Sequence, residues 1–482
     1  MIKSTLAFVI STVCVSGTLL VPRAAPWPMP TAEQLKYQME PISALIHFNM
    51  ATFFHDGDPG CTTTNWNGCD NANGTGCNSS HPSSFAPTAL NISSWAESMK
   101  MIGATSAVLT AKHGCGFLLW EPKSTLPDGS PYTYHSQVGD VISEFASVMT
   151  QNDIGYGFYF SLTNNFYLNA FGHNVKPPST LLPGQVSVTQ SEFEALSLSL
   201  VSELWTNYGP LTEIWLDGGC GAMCDQVASR VRQLPNAAGA VAFNGGGVSD
   251  SPVRWCGTEG GSPNGWPTIW STTACVPSWC APGSGSGSPP NTTNATWYPS
   301  GVDMTIQEGD HWFFTPSASL HTVADLAVVY HHSVGANAHL ELDFAIDRTG
   351  GIAPGHAALY ASFGAWITGC YSTPIVSGTI APGQSSTVIS ITGSSNVDRI
   401  AMKEVISSGQ FVIDYTVEAM FGGSWIPFSS GTTIGSKRID VAAAGPALIT
   451  SIRVTIVSAF APGHNGISID IFSGNGCDTS AY

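Results

Sequence analysis

Charge is scarce in this chain. Only 10% of its 482 residues are Asp, Glu, Lys or Arg, against roughly 25% in an average soluble protein, so its polar surface must be built from Ser, Thr, Asn and Gly. Basic residues are scarcest: 16 Lys and Arg face 33 Asp and Glu, a formal net charge of −17. Such a field repels phosphate backbones and anionic lipid, which excludes nucleic acid and membrane surfaces as partners. Long apolar runs are also lacking beyond the first 25 residues, so no later segment is expected to span a bilayer. No Gly-x-Gly-x-x-Gly opens a helix after a strand, and neither a P-loop nor His-Glu-x-x-His occurs. The one Gly-x-Ser-x-Gly match, Gly283-Ser284-Gly285-Ser286-Gly287, is low-complexity sequence rather than a strand-to-helix turn, which argues against a serine hydrolase. The cysteine spacings lack the paired Cys-x-x-Cys or His partners of a zinc site, and no metal or other cofactor is expected.

What is present points outside the cell. Residues 1–25 read as an export signal: Lys3 supplies a positive end, residues 6–21 are mostly apolar, and Val15-Ser16-Gly17 and Ala24-Ala25 offer cleavage sites. Removing Cys14 with the signal leaves 12 − 1 = 11 cysteines in an oxidising compartment, where pairing is the default and one thiol is left over. Cys220/Cys224, Cys275/Cys280 and the cluster Cys61, Cys69 and Cys77 suggest local staples. Asn73, Asn78, Asn91, Asn291 and Asn294 are glycosylation acceptors.

Between residues 26 and 372 short apolar strands alternate with amphipathic helices, the pattern of a parallel α/β barrel. Strands are expected at 45–48, 107–112, 157–162, 213–216, 241–244, 253–256 and 340–344; closing a TIM-like (β/α)8 barrel requires an eighth that the pattern does not reveal. Ser94-x-x-Glu97 and Thr189-x-x-Glu192 read as capping boxes, and Asn207 and Gly209 as a helix stop. Insertions at 56–87 and 257–300 interrupt the alternation, where strand-to-helix loops would wall a cleft or simply carry glycans. From 373 to 482 helix signals stop and period-two strands begin, as in an antiparallel β-sandwich.

The sharpest local feature is Glu213-Ile214-Trp215-Leu216-Asp217-Gly218-Gly219, an apolar strand running into a carboxylate and glycines. In a parallel barrel that is the rim on which sites are built, although an Asp there more often caps a helix. Arg254-Trp255-Cys256-Gly257-Thr258-Glu259 repeats the pattern. Two rim carboxylates suit glycoside hydrolysis, one attacking or activating water and one protonating the leaving oxygen. His47 and His113, also at strand ends, suit hydroxyl recognition, and Trp66, Trp120 or Trp312 could cover the C–H face of a sugar. His331, His332 and His339 read as structural.

At these residues the chain resembles the retaining α-L-fucosidases of glycoside hydrolase family 29, and is most similar to the branch that includes the plant α-1,3/1,4-fucosidases. Ile46-His47-Phe48, Leu109-Thr110-Ala111-Lys112-His113, Asn207-Tyr208-Gly209 with residues 213–218, Arg254-Trp255-x-Gly257-x-Glu259 and Ser333-Val334-Gly335-x-Asn337 follow the family's order. The resemblance implies Asp217 as nucleophile, Glu259 as acid then base, and His47 and His113 as fucose ligands. Trp66, Tyr159, Arg254 and Trp312 are implied to line the fucose subsite. It implies a secreted, cofactor-free exo-α-L-fucosidase acting on fucosylated oligosaccharides or glycoproteins. Three positions depart from the pattern. Gly114 stands where many relatives have a second tandem His, Asn65 precedes the first-loop Trp where many have Glu, and Pro299-Ser300-Gly301-Val302-Asp303 lacks a Glu. These departures motivate the alternative of a catalytically weak, fucose-binding lectin-like protein; a different exo-glycosidase specificity is a third reading.

Overall fold

The computed structural model describes residues 19–21, 28–53, 82–182, 184–245, 247–256, 259–261, 279–280, 296–442, 447–460, 462–474 and 477. Eight parallel strands close a barrel: β1 (Ile42–His47), β2 (Ser106–Lys112), β3 (Gly155–Phe160), β4 (Glu213–Trp215), β5 (Val241–Phe243), β6 (Pro252–Trp255), β7 (Ser300–Met304) and β8 (Ala338–Ala345). β8 pairs with β1, and β6 with β7. The strand missed by pattern is β7. Its sequence Ser-Gly-Val-Asp-Met is buried throughout, yet carries two polar residues and a glycine. A Cβ at Gly301 would stand 2.5 Å from the Phe243 ring and 2.6 Å from the Tyr37 hydroxyl, so close packing inside the barrel demands the residue that breaks the apolar signal.

The helices obey their capping chemistry, with one correction. Thr189 forms the expected capping box with Glu192 on helix Gln190–Asn207. Helix Ile92–Met101, however, is capped by Asn91, whose side chain accepts from Ser94 N; Ser94 occupies the first turn. Asn91 is exposed, whereas the other four glycosylation acceptors lie outside the described residues. No helix among the described residues is long and apolar enough to cross a membrane.

Beyond helix Pro354–Tyr371 the chain forms antiparallel strands: β9 (Val376–Ile380), β10 (Ser386–Glu404), β11 (Val412–Phe421), β12 (Ser424–Gly431), β13 (Arg438–Val441), β14 (Ala447–Phe460) and β15 (Ile467–Ser473). The long β10 pairs with β14 along its first half and with β13 and β15 along its second, with register shifts between. These strands pack around a core of Ile400, Met402, Val417, Ile452, Val454, Ile469 and neighbours. Leu19–Val21, within the segment read as an export signal, pairs in parallel with Ser458–Phe460. Cys220 and Cys224 are bonded, as their spacing suggested. Cys370 joins Cys477 across 107 residues, a pairing that no spacing announced. Cys61, Cys69, Cys77 and Cys275 lie outside the described residues.

The base of the barrel interior is not apolar. Glu213 and Glu341 are both buried; Glu341 accepts from Trp215 Nε1 (2.9 Å) and from the Tyr37 hydroxyl (3.2 Å). Burial pushes Glu213 up to about 7 and Glu341 well above the carboxylate range, the latter also through its like-charged neighbour. The pair therefore retains a proton that an unfolded chain would release near pH 4.5. Its stabilisation is present below that pH and is lost as pH rises toward 7, by roughly 1.4 kcal/mol per pH unit for one proton. A Glu213→Gln variant should gain stability relative to the parent between pH 5 and pH 8 in denaturant unfolding. A difference independent of pH would exclude Glu213 as a titrating group.

Candidate active site

Strands of a parallel barrel carry their C-terminal ends to one mouth, and six of the residues singled out from sequence meet there. His47, His113, Tyr159, Asp217, Glu259 and Trp312 line one cavity of about 390 Å³, together with Leu45, Trp215, Asp303 and residues 309–311. Asp217 stands two residues past the end of β4. The Tyr159 hydroxyl donates to its Oδ2 at 2.6 Å, and Thr163 Oγ1 donates to its carbonyl at 2.8 Å. Gly218 makes this possible: its φ is +67°, and a Cβ would lie 2.3 Å from Thr163 Oγ1. The Tyr159 ring stacks on Trp215 at 5.0 Å, which rests on Phe243 at 4.9 Å.

His47 ends β1. Its Nδ1 donates to Asp343 on β8 at 2.8 Å, which fixes ring and tautomer as a carboxylate behind a working imidazole does. His113 follows β2, stacks against Tyr159 at 5.6 Å, and lies 6.4 Å from His47. Burial pushes its pKa down to about 3, outweighing the opposing pull of Asp217, so a neutral ring faces the cavity. Its buried Nδ1 has no hydrogen-bond partner among the described residues. Beneath it Lys112 is buried, its ammonium donating to the carbonyls of Ser161 and Asn164. Burial lowers its pKa to about 7, again opposed by Asp217.

Glu259 is exposed at the rim, on a segment attached to the end of β7: Gly260 bridges Met304, and Gly261 N donates to Asp303 O at 3.0 Å. Asp303, buried on β7, accepts from Trp255 Nε1 at 2.8 Å. Burial raises its pKa well above the usual range, with Glu341 and Glu259 adding to the rise, so it presents a neutral carboxyl to the cavity. Residues 309–312 form the remaining wall. Thr305 Oγ1 and Gln307 Nε2 both hold His311 O, at 2.6 and 2.7 Å, and Trp312 Nε1 donates to Asp310 Oδ1 at 3.0 Å.

Three expectations fare differently. Arg254 is buried on β6 between Val253 and Trp255, which face the interior cluster. Strand alternation turns Arg254 away from them, to Tyr298 O (2.8 Å) and Ser300 Oγ (3.0 Å), and it is not among the cavity-lining residues. Trp120 is a core residue, 1% exposed. Trp66 lies outside the described residues. His331 and His339 are buried away from the cavity, His339 between Tyr37 O and Ser43 Oγ. Trp215, Asp303 and His311 were missed. Trp215 had a signal, since residues 213, 215 and 217 share one face of a strand.

A family model described as alpha-L-fucosidase matches residues 71–249. Alpha-L-fucosidase 1 of Arabidopsis thaliana is 27% identical, over 88% of this chain and 84% of its own. Over most of its length the chain is similar to α-L-fucosidases, which are glycoside hydrolases. Its fold is shared with a glycoside hydrolase 29 family member from an unknown rumen bacterium, with TM-score 0.70, 23% identity and coverage of 93% of this chain and 77% of that one. It is shared equally with a Ruminococcus gnavus fucosidase of that family in complex with fucose, with TM-score 0.71, 18% identity and coverage of 95% and 97%. Of the two rim carboxylates, Asp217 is held by the Tyr159 hydroxyl, while Glu259 stands exposed at the cavity's edge.

Proposed function

We propose that this chain is a secreted, retaining exo-α-L-fucosidase acting on α-1,3/1,4-linked fucose. The observation that carries the reading is the convergence of Asp217 and Glu259 on one cavity with two strand-end histidines and an aromatic wall. A deoxysugar offers hydroxyls to the His47 and His113 imidazoles and an apolar C–H face to Trp312 and Trp215. Asp217 attacks the anomeric carbon as Glu259 gives its proton to the departing glycosidic oxygen. Water, deprotonated by Glu259, then opens the fucosyl ester and releases Asp217. Tyr159 holds the Asp217 carboxylate in place between these steps.

Incubation with an aryl α-L-fucoside, a Lewis-type trisaccharide and a 2′-fucosylated oligosaccharide tests the reading. Release from the first two, with little from the third, is expected. Release from the 2′-linked sugar alone would overturn the linkage. Fucose bound without any release would favour the lectin-like alternative. Export is tested by N-terminal sequencing of protein recovered from the medium, which also distinguishes cleavage before or after the Leu19–Val21 strand.

A further inference from the structure

A buried cation stands outside the chemistry assigned to the two carboxylates. Lys112, the last residue of β2, is 1% exposed, and its ammonium donates to two backbone carbonyls, Ser161 O and Asn164 O. Ser161 N donates back to Lys112 O at 2.9 Å, so residue 112 grips this bend with both its backbone and its side chain. Thr163 lies between the two carbonyls in the chain. Its Oγ1 donates to Asp217 O at 2.8 Å, and its own carbonyl accepts from His173 N at 2.8 Å. Gly218 approaches so closely that a Cβ there would stand 2.3 Å from Thr163 Oγ1. The bend at 161–164 is thus held by Lys112 and in turn packs against the backbone of Asp217 and Gly218.

We infer that Lys112 is a positioning residue for Asp217, anchoring the bend from which Thr163 holds the Asp217 backbone. The inference rests on the fucosidase reading, in which Asp217 attacks. Two carbonyl oxygens that converge on one point repel each other, and burial removes the water that would screen them. A cation between them reverses the sign of that interaction, and charge-assisted bonds are roughly twice as strong as neutral ones. Without it the bend relaxes and Asp217 moves with Thr163; a misplacement of about 1 Å can cost on the order of 10²-fold in rate. The anchor also titrates. Burial lowers the pKa of Lys112 to about 7, opposed by Asp217 past the end of β4. His113, the next residue, is a neutral ring, and the Phe160 ring of β3 lies 5.2 Å from the ammonium. The hold is therefore full below pH 7 and weakens above it, where a neutral amine offers only ordinary hydrogen bonds.

The pH dependence of kcat/KM for α-L-fucosyl fluoride isolates this effect, because fluoride leaves without help from Glu259 and the acid adds no alkaline limb. In the parent enzyme the value should fall as pH rises through 7, by about fivefold at pH 9, as charge-assisted bonds become neutral ones. Lys112→Arg, whose guanidinium stays charged, should extend the plateau to pH 9. Lys112→Met should lie about tenfold below the parent at pH 6, with the gap narrowing toward pH 9, and it carries the test if the larger guanidinium is not accommodated. Hydrolysis above the spontaneous rate reports that a variant is folded. A flat parent profile between pH 6 and pH 9, an alkaline limb unchanged in Lys112→Arg, or a Lys112→Met deficit of equal size at both ends would overturn the role of Lys112 alone. Failure of the parent to release fucose from the fluoride at any pH would overturn the fucosidase reading with it.

Discussion

Asp217→Gly should lower hydrolysis of an aryl α-L-fucoside by roughly 10⁴-fold or more, the scale on which removal of a nucleophile is felt, and added azide should restore turnover as β-L-fucosyl azide. The carboxylate attacks from one face of the sugar. Azide occupying the space it vacates attacks from the same face, displaces the aryl group once and inverts the anomeric centre. The stereochemistry matters because Asp303 and Asp310 line the same cavity. A rate loss by itself would not say which carboxylate attacks, whereas a β-azide places the vacancy at the attacking position. Undiminished hydrolysis by the variant would remove Asp217 from the mechanism.

Glu259→Ala should lower kcat/KM for a Lewis-type trisaccharide by roughly 10² to 10⁴, the usual contribution of a general acid. It should have much less effect with α-L-fucosyl fluoride. The reason lies in what kcat/KM measures here: it stops at the first irreversible step, departure of the leaving group, and fluoride needs little help to leave. The second step still lacks its base, so the fucosyl ester on Asp217 should accumulate. Azide should then intercept it from the opposite face to give the α-azide, the mirror outcome of the Asp217 variant. Equal losses on both substrates would show that Glu259 does not act as the acid.

Both carboxylates were legible in the sequence because a parallel barrel places strand ends at one mouth. A strand followed by an acid and glycines is therefore a positional statement as well as a local one. His47 and His113 were legible for the same reason. Arg254, implied only by the resemblance, is turned by strand alternation on β6 toward Tyr298 and Ser300. Trp120 could not be told from a sugar platform, since an indole serves a core and a cleft equally well. β7 was hidden by Gly301 and Asp303, the residues that its tight packing and cavity wall require.

The local features that the sequence and the structure share, such as the Thr189 cap and the Cys220–Cys224 staple, involve partners three or four residues apart. Chain geometry alone brings such groups together. By itself the sequence determined this much: the strand–helix alternation, the change to period-two strands after residue 373, and which acids and histidines end strands. Only tertiary structure decided the rest. It set the Asp343 carboxylate behind His47, 296 residues away, buried Glu213 and Glu341 where desolvation raises both, and placed Glu259 at the edge of the cavity that Asp217 lines. Those relations depend on closing the barrel. Closure brings together side chains from strands distant in the chain and withdraws them from water, and no periodicity along the chain records which of them will meet.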